Sequence, residues 1–200
     1  MSTTTTFSSG QTLTSSALTQ TEAENAIQSL LVQVLDVPGS TVRPSWPTAG
    51  APAFDITDDV CFLKATLSND RVNRSRDTAH TGSGETLTVT VTYLRVWDIG
   101  LALYGPNSFD RARLIKSALL MGWTQRSLAT NNLALVLDMD DPRRLPELFA
   151  SQWWERSDFS FRLNELVTET TTVPSIASVE IDLFTQDTSV SQPVAVITPQ

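Results

Sequence analysis

The sequence has very few of the residues that build cross-links, metal sites and membrane spans. It contains one cysteine, Cys61, and one histidine, His80, in 200 residues. A lone cysteine excludes an intramolecular disulfide framework. No apolar run reaches the roughly 18 residues of a membrane-spanning helix, and the N-terminus lacks the basic and apolar segments of a secretory signal. We therefore expect a cytoplasmic protein with no membrane partner.

Positive charge is also scarce. Lys64 and Lys116 are the only lysines among fourteen cationic residues, and the formal net charge is -8. This balance excludes a sequence-wide basic footprint for nucleic acid, although it allows brief contact with passing DNA. The preference for arginine suits fixed ion pairs and interfaces, and compositional bias of the genome explains it equally well.

Residues with catalytic or metal-binding chemistry do not assemble into a motif. His80 lies in a loop rich in Gly, Ser and Thr, without an orienting partner, and Cys61 falls on the core-facing positions of a strand. The acidic group Asp138, Asp140 and Asp141 lacks the glycine and the distal glutamate of a calcium loop. The sequence thus predicts a protein that is not an enzyme and that has no cofactor and no metal.

Three segments are expected along the chain. Residues 1–20 are rich in Ser and Thr and predict a flexible arm. Residues 21–184 predict one folded domain, which begins with a helix at Thr21, where Glu24 completes a capping box and which Pro38-Gly39 ends. Residues 185–200 predict a loose C-terminal tail.

The strongest pattern is an alternation of apolar and polar residues from Thr86 to Tyr104, which predicts one long strand with a buried face. A strand of this length must bend, with Gly100 the favoured place, or extend beyond the core. The alternation in Cys61–Leu67 predicts an earlier strand, which pairs with the long strand as an antiparallel ribbon. A polar, arginine-bearing loop over Ser68–Gly84 is expected between the two strands.

The remaining patterns complete an α+β fold with a mainly antiparallel sheet of long strands and helices packed on one face. They predict a helix over Asn107–Met121 that Asn107 or Ser108 caps and Gly122 ends, and a short helix or turn over Pro142–Ala150. Further strands are expected over Leu133–Met139, Trp153–Val173 and Val179–Leu183.

Aromatic residues stand beside proline, glycine or arginine at the edges of several elements. Local anchoring of these edges to the core is one interpretation, and a subunit interface is the other, because Trp, Tyr and Arg are frequent interface anchors. The candidate interface residues, including those of the arginine-bearing loop, are Arg43, Trp46, Arg71, Arg74, Arg76, Tyr104, Trp153, Trp154 and Arg156.

Three of these clusters, in this order, resemble a known family. They are Val42-Arg43-Pro44-Ser45-Trp46, Tyr104-Gly105-Pro106-Asn107 and Trp153-Trp154-Glu155-Arg156-Ser157-Asp158, with Cys61 on the strand after the first. Together they resemble the neck terminator, or tail-completion, proteins of tailed bacteriophages over residues 21–184. The long N-terminus, the Ser68–Gly84 loop and the C-terminal tail depart from that pattern.

The resemblance implies a structural virion protein that assembles in the host cytoplasm and is located in the tail and neck region. It implies a homo-oligomeric ring, a hexamer, that caps the tail tube and contacts the neck or connector proteins. A tail sheath is a further partner that the resemblance allows, and genomic DNA would pass through the ring without specific binding. The alternatives are a head–tail adaptor, a tail-tube protein, or a small hydrolase or ligand-binding domain.

Overall fold

The computed structural model describes residues 2–8, 11–45, 53–83, 86–174, 179–180 and 196–197. These residues form three α-helices: α1 (Gln20–Leu35), α2 (Ser108–Leu119) and α3 (Gly122–Ala129). They also form short 3-10 helices at Gly39–Thr41 and Arg71–Arg74. The strands are β1 (Thr3–Thr6), β2 (Thr12–Ser15), β3 (Val42–Pro44), β4 (Val60–Leu67), β5 (Arg76–Ser83), β6 (Thr86–Tyr104), β7 (Leu133–Val136), β8 (Arg143–Arg144), β9 (Glu147–Phe149), β10 (Gln152–Trp154), β11 (Arg156–Pro174), β12 (Val179–Glu180) and β13 (Val196–Ile197).

Nine of the described strands form one sheet in the order β1-β2-β11-β6-β4-β3, with β5 beside β6 and both β7 and β8 beside β11. The predicted ribbon is confirmed, because β4 runs antiparallel to β6 from Val60 opposite Tyr104 to Leu67 opposite Trp97. β6 is unbroken through Gly100, which lies opposite Lys64. The short β3 runs parallel to β4, whereas β2, β7 and β8 run antiparallel to β11. The predicted α+β class with a mainly antiparallel sheet is therefore confirmed.

The chain divides into two compact units. The first consists of Ala17–Arg76 and Tyr93–Val167, and the second of Ser2–Ser16, Asp77–Thr92 and the described residues from Thr168 onward. β6 and β11 each contribute residues to both units.

The first unit holds the hydrophobic core. Helix α1 packs against β3, β4, α2 and α3. The alternation in the long strand correctly predicts its buried face between Trp97 and Leu103, and β4 and β11 supply the neighbouring layers. The largest buried apolar side chains are Trp97, Ile27, Leu31, Leu63, Ile99, Leu103, Ile115, Leu119, Leu133 and Leu163.

The second unit differs in its burial. None of its described side chains is buried, including Leu87, Val89 and Val91, which the alternation pattern assigned to the buried face and which are half-buried. Backbone pairing between strands, such as Thr14 opposite Thr170, therefore holds this unit together in place of a packed interior.

The N-cap of helix α1 lies two residues earlier than predicted. Thr19 is its N-cap, and the Glu22 carboxylate accepts a hydrogen bond from the Thr19 backbone N–H at 2.8 Å, which completes the capping box. The sequence offers this box and a second one at Thr21 and Glu24. The first is used because Leu18 is buried and its N–H donates to the Glu165 carboxylate at 2.7 Å.

Glu165 is a buried carboxylate that sequence reasoning missed. Its side chain is fully buried, and it accepts hydrogen bonds from Arg95 Nη2, from Trp97 Nε1 and from Leu18 N, each at 2.7 Å. These three donors compensate for the cost of burying the charge. The network joins β6, β11 and the start of α1. Glu165 occupies an inward position of β11 that the pattern would assign to an apolar residue.

Two segments predicted without strands contain them. In the expected flexible arm, β1 and β2 pair with each other, and β2 pairs with β11 from Ser15 opposite Glu169 to Leu13 opposite Thr171. In the expected Ser68–Gly84 loop, residues from Arg76 onward form β5 beside β6. Composition misled in both cases, because segments with few apolar residues can still pair through their backbones.

The region after α2 also differs from the sequence-based expectation. The helix ends at Leu119, and Gly122 begins α3 rather than ending α2. Pro142–Ala150 contains β8 and β9 and no helix. Asn107, one of the two predicted caps, is the N-cap residue of α2, but its side chain makes no capping hydrogen bond. Its amide instead donates to Asp59. The predicted strand over Val179–Leu183 is described only at β12, which pairs with β13, and the rest of the predicted tail lies outside the described residues.

Candidate subunit interface

The Tyr104-Gly105-Pro106-Asn107 turn fixes the end of the long strand to the first unit. Gly105 has a φ of 107°, and an added Cβ there would meet Asp59 Oδ1 at 2.5 Å. The Asp59 carboxylate accepts hydrogen bonds from the backbone N–H of Asn107 at 3.0 Å and from its side-chain amide at 2.8 Å. The Gly105 N–H donates to the Glu155 carbonyl at 3.1 Å. The turn thus needs glycine for internal reasons.

Arg156 is held by two carboxylates. Its Nε and Nη2 donate to the two oxygens of Asp158 at 2.7 and 2.8 Å, and its Nη1 donates to Glu147 at 3.1 Å. The Tyr104 hydroxyl donates to the same Glu147 oxygen at 2.9 Å. These hydrogen bonds, first from Tyr104 and then from Arg156, lower the pKa of Glu147. Arg and Asp two residues apart on one strand share a face, which explains the Arg-x-Asp motif.

Five aromatic rings form a cluster beside this ion-pair network. Phe54 lies 5.6 Å from Phe62, 5.8 Å from Tyr104 and 5.4 Å from Trp154, measured between ring centroids, and Phe149 lies 6.2 Å from Trp154. The cluster lines an open pocket of about 760 Å³, whose polar edge includes the Arg156–Glu147 pair. The indole N–H of Trp154 is buried and finds no acceptor among the described residues. Because its ring packs against Phe54 and Phe149, Trp154 is an anchor within the chain.

Strands β9 and β10 form a two-residue hairpin with apolar side chains on both faces. Glu147, Phe149 and Trp154 line the pocket. On the other face, Leu148 lies directly opposite Trp153, and these side chains are 58% and 67% exposed. The outer hairpin face, defined as Leu148 and Trp153, thus presents a large aromatic side chain to solvent. The sequence identifies Trp153 as a candidate interface residue but not Leu148, because its pattern predicts a helix or turn over Pro142–Ala150.

The remaining predicted interface residues are Arg43, Trp46, Arg71, Arg74 and Arg76. Arg43 donates from Nε to the Ser40 carbonyl at 2.6 Å, and its guanidinium lies 6.0 Å from the Phe54 ring centroid, so it borders the aromatic cluster. Arg71 and Arg74 are exposed on the second 3-10 helix. The guanidinium of Arg76 lies 3.7 Å from the centroid of the Tyr93 ring on β6. Trp46 lies outside the described residues.

The structure thus brings Tyr104, Trp154 and Arg156 together around one pocket and places Arg43 near its Phe54 ring, with Trp153 on the opposite face of the same hairpin. Each of the four residues other than Trp153 has a partner within the chain, as the local-anchoring interpretation requires. Their role at an interface stays a prediction. Trp153 is the member of this group whose exposure leaves it available for contact with another molecule.

The residues considered for catalysis or metal binding are buried, exposed or paired with cations of the same chain. Burial raises the pKa of the Cys61 thiol to about 12, so the thiol stays protonated near neutral pH. His80 lies on β5 and is exposed. Asp141 pairs with Lys116 at 2.6 Å, and Asp138 pairs with Arg162 at 3.5 Å. Within the described ranges, no group of three His, Cys, Asp or Glu side chains could hold a metal ion. No described helix is long and apolar enough to cross a membrane.

An exposed tryptophan such as Trp153 is a frequent anchor where proteins pack against each other. The sequence profile of the phage neck terminator protein family matches residues 22–187. The chain belongs to this family, which is a family of structural virion proteins of the neck and tail region. A comparison with curated proteins found no match. The family match begins after β1 and β2.

Proposed function

We propose that this chain forms a closed ring, a hexamer, that caps the tail tube and joins it to the neck. The family supports a structural role in the phage neck. A ring built from one repeated contact needs a rigid surface on each copy that packs against a different surface on the next copy.

The outer hairpin face carries this proposal. Leu148 and Trp153 lie opposite each other on paired strands. Because the strands already fix the backbone of both residues, little conformational entropy is lost when a partner buries their side chains. The pocket-facing residues of the same hairpin pack on the aromatic cluster, which fixes its position on the first unit. Truncation of exposed tryptophans of this kind often costs about 2 kcal/mol or more at an interface.

The charge balance suits a ring through which DNA passes. Anchoring to phosphates needs clusters of Lys and Arg, and this chain has a net charge of -8. Arg95, Arg156 and Arg162 are paired with carboxylates in the described structure. We infer a lumen that does not retain DNA. A structure of the ring with Arg71, Arg74 and Arg76 lining its lumen would contradict this inference.

Negative-stain microscopy of the purified protein, alone and with tail tubes of the same phage, tests the proposal. We expect closed rings of uniform size that bind one end of the tubes. Open filaments would indicate a tube protein, and rings that bind the connector but never the tubes would indicate an adaptor. A uniform monomer at virion-like concentrations and salt would overturn the proposed function.

The role of the outer hairpin face is tested with Trp153→Ala. We expect unchanged stability and a loss of about 30-fold in ring association, measured by sedimentation, which corresponds to about 2 kcal/mol. Trp123→Ala, at an exposed tryptophan on α3, is the matched control and should leave assembly unchanged. Trp154→Ala should instead lower the free energy of unfolding, because Trp154 packs inside the aromatic cluster. Equal loss of assembly in the Trp123 and Trp153 variants would argue against the hairpin as the contact.

A further inference from the structure

The sheet portion in the second unit has two unpaired edges. β1 is the last strand on one side, and β5 lies beside β6 on the other side. Within the described residues, β1 pairs only with β2, and β5 pairs only with β6. The outward backbone N–H and C=O groups of both strands can therefore accept another strand.

These edges lack most of the features that protect sheet edges in soluble proteins. Lysine, proline and bulges are the usual protection. β1 is four consecutive threonines, all exposed. β5 contains no lysine or proline, and its residues from Asp77 to Gly82 are exposed. Because β1 is uncharged, it can approach the Asp77 and His80 side chains of a β5 strand without like-charge repulsion.

The register shows which groups of β1 point outward. The Phe7 N–H donates to the Gln11 carbonyl at 2.9 Å across the hairpin. Inward and outward groups alternate along an antiparallel strand, so Thr5 and Thr3 also direct their N–H groups toward β2. The N–H groups of Thr4 and Thr6 then point away from the sheet. β1 thus presents two donors to a neighbouring strand.

The second unit also has little other means of stabilisation. None of its described side chains is buried, whereas a sheet that is stable by itself needs a hydrophobic face or packing against a helix. The β1–β2 hairpin precedes residue 22, where the family match starts. The hairpin therefore lies outside the matched region, and its function does not follow from the family.

We propose that β1 of one copy pairs with β5 of the next copy, so that the sheet of the second unit continues from subunit to subunit. A second copy is the partner that fits best, because the same sheet offers two different edges on opposite sides. A repeated contact between unlike edges uses both, and it forms a ring when the rotation between successive copies closes. A strand from another protein would cover one edge and leave the second open. The inference rests on the proposed ring and names one of its contacts.

Proline substitution on β1 tests the contact. Thr4→Pro removes an outward N–H and spares the inward bonds of Thr3 and Thr5. Thr4→Ser keeps the N–H and is the matched control. We expect a loss of about tenfold in ring association for Thr4→Pro, the equivalent of one hydrogen bond, and none for Thr4→Ser. Circular dichroism and thermal melting confirm that both variants fold.

Cysteine cross-linking tests the same contact directly. Neighbouring strands lie about 4.8 Å apart, which is within disulfide range. Thr4→Cys is combined in turn with Thr78→Cys, Ala79→Cys, His80→Cys and Thr81→Cys, since Cys61 is buried and unreactive. Under oxidation, at least one pair should give a ladder of covalent oligomers that ends at the ring size. The single-cysteine variants should not extend beyond dimers.

The outcomes separate this inference from the proposed function. Rings that form normally with Thr4→Pro and give no ladder with any of the four pairs would overturn the β1–β5 contact and leave the ring intact. Rings that form normally with Thr4→Pro but no longer bind tubes or connector would assign β1 to a foreign strand and would also overturn it. Failure of the unmodified protein to form rings would overturn the proposed function itself.

Discussion

Gly105 illustrates, at the scale of single residues, how a motif can mark internal geometry. The Tyr104–Asn107 turn follows the end of the long strand β6. In the structure, Gly105 adopts a positive φ in a place where a side chain would collide with Asp59. Asp59 in turn holds Asn107 at the start of α2. The motif therefore fixes the junction between β6 and α2, and this role follows from backbone geometry alone.

Replacement of this glycine gives a prediction. Gly105→Ala should lower the free energy of unfolding by at least about 1–2 kcal/mol, because an alanine in the left-handed region is strained and its Cβ would displace Asp59. Urea unfolding followed by fluorescence measures the change. Gly100→Ala is the control, because an added Cβ there meets nothing within 4 Å, and it should be neutral or slightly stabilising. Equal effects at the two positions would contradict the account of the turn.

Among the secondary-structure elements, the β9–β10 hairpin is one that the sequence pattern does not predict. Its turn residues Ala150 and Ser151 have φ values of 49° and 64°, whereas two-residue hairpin turns of this kind favour Asn-Gly. Sequence reasoning had no turn signal to detect and assigned Pro142–Ala150 to a helix or turn. β4, β6 and β11 were found because their alternation extends over many residues. Strands of two or three residues carry no comparable pattern.

The strained turn leads to a prediction at the same scale. The double substitution Ala150→Asn and Ser151→Gly should stabilise the protein by about 1 kcal/mol, because it removes the cost of two left-handed residues. An increase in the urea midpoint with an unchanged slope would show this. Ala150→Val should shift the midpoint in the opposite direction, since a β-branched residue resists a positive φ. A double variant that is no more stable than the parent would show that strain in this turn does not limit stability.

At the scale of the whole molecule, burial divides the chain. All buried side chains of the described residues belong to the first unit, which contains the helices and the core-facing half of β6. The second unit consists of paired, threonine-rich segments without a buried side chain. β6 and β11 contribute to both units, so one strand has two environments. This explains why one alternating pattern predicted the buried face correctly from Trp97 to Leu103 and incorrectly from Leu87 to Val91.

Hydrogen exchange should detect this division. In the free protein, we expect backbone amides of β4 to exchange at least about tenfold more slowly than those of β2, because local opening is easier where few apolar contacts must break. Mass spectrometry of peptides from the exchanged protein measures the rates. Upon ring formation, peptides that contain β1 and β5 should become protected, while β4 should change little. Uniform protection of both units in the free protein would contradict the expected difference in local stability.

The sequence by itself determined the α+β class, the long strands, the antiparallel pairing of β4 with β6 and the family resemblance. Each of these depends on periodicity or on short motifs, which are local properties of the chain. Only the tertiary structure decided that Thr19 rather than Thr21 caps α1, that the carboxylate of Glu165 is buried, and that Trp153 is exposed while its neighbour Trp154 packs inside. The reason is physical. Burial and hydrogen-bond partners come from residues distant in sequence, such as Glu165 for Leu18 and Phe54 for Trp154, and no local pattern encodes them.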